Sequence, residues 1–142
     1  MIGTVSKTKD LAATEQFLKD IDEKRIKREY FTYLVIDNST NEFIAFFYLK
    51  NADWSIPEIE IGCYTDENFA GKGVTTKAMN LFVDYCFETF DFKKIRLRMH
   101  HSNTAAQIVA ERCGFELEGT IRMDYMTTAG EIVDLTYYGR LK

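Results

Sequence analysis

The chain has 142 residues, the length of one domain, and 46% of them are hydrophobic, enough to build a core without disulfides or metal. Its 18 basic and 22 acidic residues leave a net charge of −4, which argues against a general nucleic-acid binder, because neutralising phosphates needs a basic surface. Eleven Phe, eight Tyr and a single proline, Pro57, exclude a disordered chain.

In chain order, the first periodic stretch runs from Thr8 to Arg28. Leu11, Ala13, Phe17, Leu18 and Ile21 fall at helical spacings. Thr8 is the expected N-cap, with Asp10 in the first turn. The cluster Lys24-Arg25-Ile26-Lys27-Arg28 reads as the solvated C-terminal end of this helix, where cations suit the dipole. Tyr30 to Ile36 and Phe43 to Leu49 are aromatic and β-branched. The turn chemistry of Asp37-Asn38-Ser39-Thr40-Asn41 between them predicts an antiparallel hairpin. Alternation is strict in Glu58-Ile59-Glu60-Ile61-Gly62-Cys63-Tyr64, so Ile59, Ile61 and Cys63 share one face and Glu58, Glu60, Gly62 and Tyr64 the other.

A helix is predicted from Thr75 to Thr89, with Ala78, Leu81, Phe82, Tyr85 and Cys86 as its buried stripe. Ile95 to His100 is a strand, and Asn103 caps a helix through Arg112 that Gly114 closes. Strands over Phe115 to Met126 and Glu131 to Arg140 complete the chain. The alternation predicts a mixed sheet with helices on its faces.

Three widely spaced cysteines, Cys63, Cys86 and Cys113, form neither a disulfide framework nor a metal knuckle. Free thiols in a reducing, cytoplasmic compartment are expected. No apolar run is long enough to span a membrane, and Met1 to Lys7 lacks the order of a signal peptide.

The most informative segment joins a strand to a helix through Asn68-Phe69-Ala70-Gly71-Lys72-Gly73-Val74. Two glycines let successive amides point into one concavity beside a helix N-terminus, which suits a phosphate or only a tight turn. The frame fits neither a Walker loop nor a dinucleotide fingerprint, whose third glycine is absent.

These residues carry a resemblance. The Glu58–Tyr64 strand, Gly71-Lys72-Gly73, Asn103-Thr104-Ala105-Ala106 and Arg112-Cys113-Gly114-Phe115 resemble the GNAT N-acetyltransferases in order and spacing. Glu118-Gly119-Thr120-Ile121-Arg122, Gly130, Val133-Asp134 and Tyr137-Tyr138 are similar to the RimJ/RimL-type branch, which acetylates protein N-termini, ribosomal proteins among them. The resemblance implies an α/β (α+β) fold with a mixed, mostly antiparallel central sheet and helices on both faces. Residues 1–142 would be one N-acetyltransferase domain, N-terminally shortened, because the family's first strand and helix are missing before Thr8.

It also implies an acetyl-CoA site. Phe69, Ala70, Gly71, Lys72, Gly73, Val74 and Thr75 would hold the pyrophosphate through main-chain amides. Gly62, Cys63 and Tyr64 would splay from the Ile95 strand and bond pantetheine, with the Cys63 amide polarising the thioester carbonyl. Asn103 would bond pantetheine, cap its helix, or do both. Glu60 is either a strand glutamate in a salt bridge or the base that deprotonates the acceptor amine, often through water. Asp124 and Tyr125 form a second polar pair; His100 and His101 read as structural, and no metal site is expected.

Departures from the family pattern bear on activity. Asn68 stands where Gln or Arg is usual. Ala106 and Ala110 occupy the positions of a serine or tyrosine that protonates the departing thiolate, and neither can donate a proton. The implied function is acetyl transfer from acetyl-CoA to a primary amine, a protein N-terminus or a small amine, by direct attack. The alternative is a catalytically weak or inactive CoA-binding module. A homodimer is expected from the uncovered hairpin, with neither nucleic acid nor membrane as partner.

Overall fold

The computed structural model describes residues 10–142. Thr8 and the Met1–Lys7 segment lie outside the described residues. Elements follow in the order α1 (Leu11–Ile26), β1 (Tyr30–Ile36), β2 (Phe43–Asp53), β3 (Glu58–Thr65), α2 (Val74–Phe90), β4 (Lys94–His100), α3 (Thr104–Arg112), β5 (Glu116–Met126) and β6 (Ile132–Leu141). The six strands form one sheet in the order β1-β2-β3-β4-β6-β5. Every neighbouring pair is antiparallel except β3 with β4. The mixed, mostly antiparallel sheet is the expected one.

The N-cap of α1 is Asp10 rather than Thr8: its carboxylate accepts from the Ala12 amide at 3.0 Å. A carboxylate there also meets the positive end of the helix. Lys24 and Arg25 lie in the last turn, as expected. The apolar side chains of α1 do not reach a core, and Leu11 and Leu18 remain exposed. Its helical spacing is real, but of that stripe only Ile21 is half-buried and the rest stays exposed.

The core lies on the face of the sheet that α2 and α3 cover. Phe47, Leu49, Ile59, Ile61, Ile95 and Leu97 meet Phe82, Val83, Cys86, Ala106 and Ala110 there. Phe47 and Phe82 stack with ring centroids 5.0 Å apart. The buried stripe of α2 is Met79, Phe82, Val83, Cys86 and Phe87. Leu81 and Tyr85 are exposed, contrary to expectation. The helix is apolar on more than one face, so spacing alone allowed two stripes, and the sheet selects one of them.

Arg140 ties the last strand to this layer, donating to the Cys113 carbonyl at 2.9 Å and pairing with Asp84 at 3.3 Å. Asn103 caps α3, accepting from the Ala106 amide at 3.1 Å, and Gly114 leaves the helix with φ +73°, as its place in the sequence requires.

Candidate active site

Strands β3 and β4 pair only at Glu58↔Lys94, Ile59↔Ile95 and Glu60↔Arg96. Beyond that point β3 stays with β2 as far as Ala45↔Thr65, and β4 stays with β6 as far as His100↔Leu135. The two strands are thus drawn apart by their outer partners. The inner edges from Ile61 to Thr65 and from Leu97 to His100 have no ladder between them, so their amides and carbonyls are free to bond an extended ligand. Gly62, Cys63 and Tyr64 lie on this splayed segment, as expected. The cleft is walled by Ile61, Cys63, Leu97 and Met99 and floored by Ala106 and Ala110 of α3, and its lining is almost wholly apolar.

At the open end of β3 the chain turns into α2. Asp66 accepts from the Asn68 amide at 2.9 Å and starts a 3-10 turn over Glu67–Phe69. Gly71 and Gly73 take φ of +74° and +76°, a left-handed conformation that favours glycine. Gly73 is the N-cap of α2 and has no side chain to cap it, and the first turn holds no acidic residue. The first bond into the helix runs from the Lys77 amide to the Gly73 carbonyl at 3.1 Å. The amides of Val74, Thr75 and Thr76 therefore project from the positive end of the dipole toward the loop. Ala70, Gly71, Lys72 and Gly73 are exposed, Phe69 is half-buried with the Lys72 ammonium 6.0 Å from its ring, and Asn68 is exposed. A 3.0 Å bond between the Thr65 and Thr75 hydroxyls joins the strand end to the helix start. Such an arrangement can hold an anion.

The opposite face of the sheet carries a chain of polar groups. Glu60 is buried there. Its Oε1 accepts from Arg98 Nε at 2.9 Å and lies 3.2 Å from Lys50 Nζ, while Oε2 accepts from Asn51 Nδ2 at 2.9 Å. Three of its roughly four lone-pair directions are taken, which leaves one on Oε2. Burial weighs against the Arg98 charge, and the Glu60 carboxylate more than offsets it, so the guanidinium is held charged. The Tyr137 hydroxyl lies beside Arg98 and also favours its charge. Tyr137 donates to Asp124 Oδ2, and burial together with that carboxylate pushes its phenol up. Glu58 pairs with Arg96 at 3.2 Å, and Tyr125 meets the His100 ring edge-on. The Tyr48 ring lies over Gly62 on this face.

Lys50, Asn51, Arg98 and Tyr137 were not among the expected site residues. Arg96-Leu97-Arg98 alternates with period two beside the Glu58–Glu60 strand, and that pattern could have placed both arginines on the polar face. Cys63 and Cys86 face the core, where burial pushes both thiols up to about 12, so neither offers a thiolate nucleophile at neutral pH. Among the described residues no three His, Cys, Asp or Glu side chains gather to hold a metal ion, and no helix is long and apolar enough to cross a membrane.

Residues 2–116 match the family described as acetyltransferase (GNAT) domain. The chain is 34% identical over 94 residues to "Putative ribosomal N-acetyltransferase YdaF" of Bacillus subtilis, a match covering 66% of this chain and 51% of that protein. It therefore spans about half the length of that relative. Two solved structures share the fold with a TM-score of 0.84. RimL, a ribosomal L7/L12 α-N-protein acetyltransferase in complex with coenzyme A, is 20% identical over 93% of this chain and 73% of its own. The microcin C7 self-immunity acetyltransferase MccE, in complex with acetyl-CoA and AMP, is 19% identical over 94% and 72%.

Proposed function

The chain belongs to the GNAT acetyltransferase family, and we propose that it moves an acetyl group from acetyl-CoA to a primary amine by direct attack. The observation that carries this reading is the pairing of a splayed β3–β4 edge with an uncapped helix N-terminus at its open end. An extended donor with an anionic tail fits that combination. Pantetheine lies along the free edges of Gly62, Cys63 and Tyr64, and its pyrophosphate meets the loop of Asn68 to Thr75. Asn103 is committed to the Ala106 amide, and its remaining donors are available to pantetheine.

The chemistry asks little covalent help of the protein. The Cys63 amide faces the thioester carbonyl and stabilises the oxyanion. The amine approaches from the Glu60 face, and the remaining Oε2 lone pair of Glu60 takes its proton through a water. The acceptor is a protein N-terminus, as the RimJ/RimL likeness suggests, or a small amine. We assign the protein to the cytoplasm, which suits its three unpaired, buried thiols. A homodimer would cover the β1 edge, where Leu34 and Ile36 are exposed.

The test is release of CoA thiol from acetyl-CoA over a panel of amines and N-terminal peptides. Amine-dependent release supports the enzyme. Binding of CoA by calorimetry with no release on any acceptor replaces it with a CoA-binding module that does not turn over. Absence of CoA binding removes both. Light scattering at micromolar concentration decides the dimer.

A further inference from the structure

Resting on the acetyl-transfer reading, we propose that Tyr48 determines acceptor specificity. The tip of its ring narrows the approach to the thioester, so a compact primary amine passes and one on a bulky carbon is turned away. The argument starts from where the two substrates meet. On that reading pantetheine lies in the plane of the sheet, along the part of β3 that no longer pairs with β4. The core side of this gap is closed by Met79 of α2 and by Ala106, Val109 and Ala110 of α3. The amine therefore comes from the other face, where Glu60 stands.

On that face position 62 brings no side chain, and the Tyr48 ring fills the place instead. Tyr48 is the β2 partner of Gly62, as Lys50 is the partner of Glu60. Tyr48 Cζ and its hydroxyl oxygen are the atoms nearest to where a Cβ on Gly62 would lie. The ring thus leans from β2 across β3 and ends with its hydroxyl over the splayed strand. Burial pushes its phenol up, helped by Tyr30, Glu60 and Cys63 and opposed by Arg98 of β4, so it stays neutral. Its tip is therefore within electrostatic reach of the proposed base and of the strand across the gap.

The ring has little freedom to withdraw. Tyr30 stacks on it with centroids 5.5 Å apart, Phe46 leans against it at 6.1 Å, and the Lys50 ammonium lies 5.3 Å from its centre. Close packing of this kind resists displacement. Tyr48 is 7% exposed and Glu60 6%, so the base is reached only through a narrow opening. Lys50, Asn51 and Arg98 surround the carboxylate, and the Tyr48 tip stands on the Gly62 side of it. A substituent wider by a carbon or two meets a fixed wall, and such steric pockets discriminate by about 10–200-fold. The acceptor class is a primary amine with small or no substituents on the carbon that bears it, in a peptide or a small molecule.

The test measures kcat/KM from release of CoA thiol, with two pairs of acceptors that separate those sources. One pair is peptides that begin with alanine or with valine and are otherwise identical; the other is isopropylamine and cyclohexylamine. The wild type should favour the compact member of the pair it uses by about thirtyfold or more. In Tyr48→Leu that ratio should fall about tenfold, because kcat/KM for the bulky member rises. A loss of packing alone would lower both members and raise neither. Where Tyr48→Leu does not fold, Tyr48→Phe is read in its place: it keeps the stack on Tyr30, shortens the tip, and should move the ratio the same way by less. A wild-type ratio near one overturns the role of Tyr48 and leaves the acetyl-transfer reading standing. So does a ratio unchanged in the folded variant, or one that falls only because the compact acceptor is lost. A wild type that binds CoA by calorimetry and releases no thiol with any amine or peptide overturns both.

Discussion

The Tyr48 ring occupies the space that a side chain at position 62 would need. A Cβ built on Gly62 would lie 2.0 Å from Tyr48 Cζ and 2.2 Å from its hydroxyl oxygen. Tyr48 is itself held by a stack with Tyr30, at 5.5 Å between centroids. Glycine at 62 is thus demanded by close approach rather than by backbone conformation. Gly62→Ala must push the ring aside, and overpacking of this kind costs about 1–3 kcal/mol. Urea denaturation should show that loss. The double variant Gly62→Ala/Tyr48→Ala should lose less than the sum of the two single changes, because the clash is gone.

Gly73 makes a different demand. Its φ of +76° lies in open space, so a side chain there meets no neighbour and only the backbone is strained. Gly73→Val should cost about 1–2 kcal/mol of stability and turn the α2 amides away from the loop. Wild-type protein at 100 times the dissociation constant of acetyl-CoA should gain about 2.7 kcal/mol. The variant should fold and lose most of that gain, as read by the shift in melting temperature.

Glu60→Gln keeps the shape of the side chain and removes its charge. On the proposed chemistry, turnover should fall about tenfold or more, with CoA affinity little changed, because the carboxylate faces the acceptor side. The change also leaves Lys50 and Arg98 without their shared anion, so stability should fall too. Turnover at the wild-type rate on the best acceptor would move the base elsewhere.

The floor of the cleft separates two substitutions that look alike in sequence. Ala106 retains slight exposure, at 7%, and a serine hydroxyl adds one atom there. Ala106→Ser should fold normally and raise turnover if the hydroxyl reaches the departing sulfur. Ala110 is fully buried, so a tyrosine there must enter the cleft. Ala110→Tyr should weaken CoA binding in calorimetry.

Alkaline pH should destabilise the fold. Cys63 and Cys86 are pushed from 9.0 to about 12 by burial, so the native state keeps protons that the unfolded state has lost. Stability is fully present below about pH 9 and is lost as pH rises toward about 12. Urea midpoints should fall between pH 8 and pH 10 (about 1.4 kcal/mol per pH unit for each such group at most). Cys86→Ala should flatten the dependence. An unchanged slope in that variant would mean the thiol titrates normally.

The order of elements, the period-two alternation of Glu58–Tyr64, the Asn103 cap and the glycine turn at Gly71 and Gly73 were all legible in the sequence. Each is a local property: a strand's faces, a cap and a left-handed residue depend on a few adjacent side chains. The buried face of α2 was not legible, because an apolar helix offers two stripes and only the sheet beneath it selects Met79 and Val83 over Leu81 and Tyr85. Nor was the clamp on Glu60, whose partners Lys50, Asn51 and Arg98 come from two other strands, Arg98 38 positions away. Which residues meet across a sheet is fixed by register, and register is set by the whole set of strand pairings. The sequence by itself determined that a strand, a glycine loop and a helix follow one another. Only the tertiary structure decided that β3 and β4 part after Glu60, because their outer partners hold each strand to its own side.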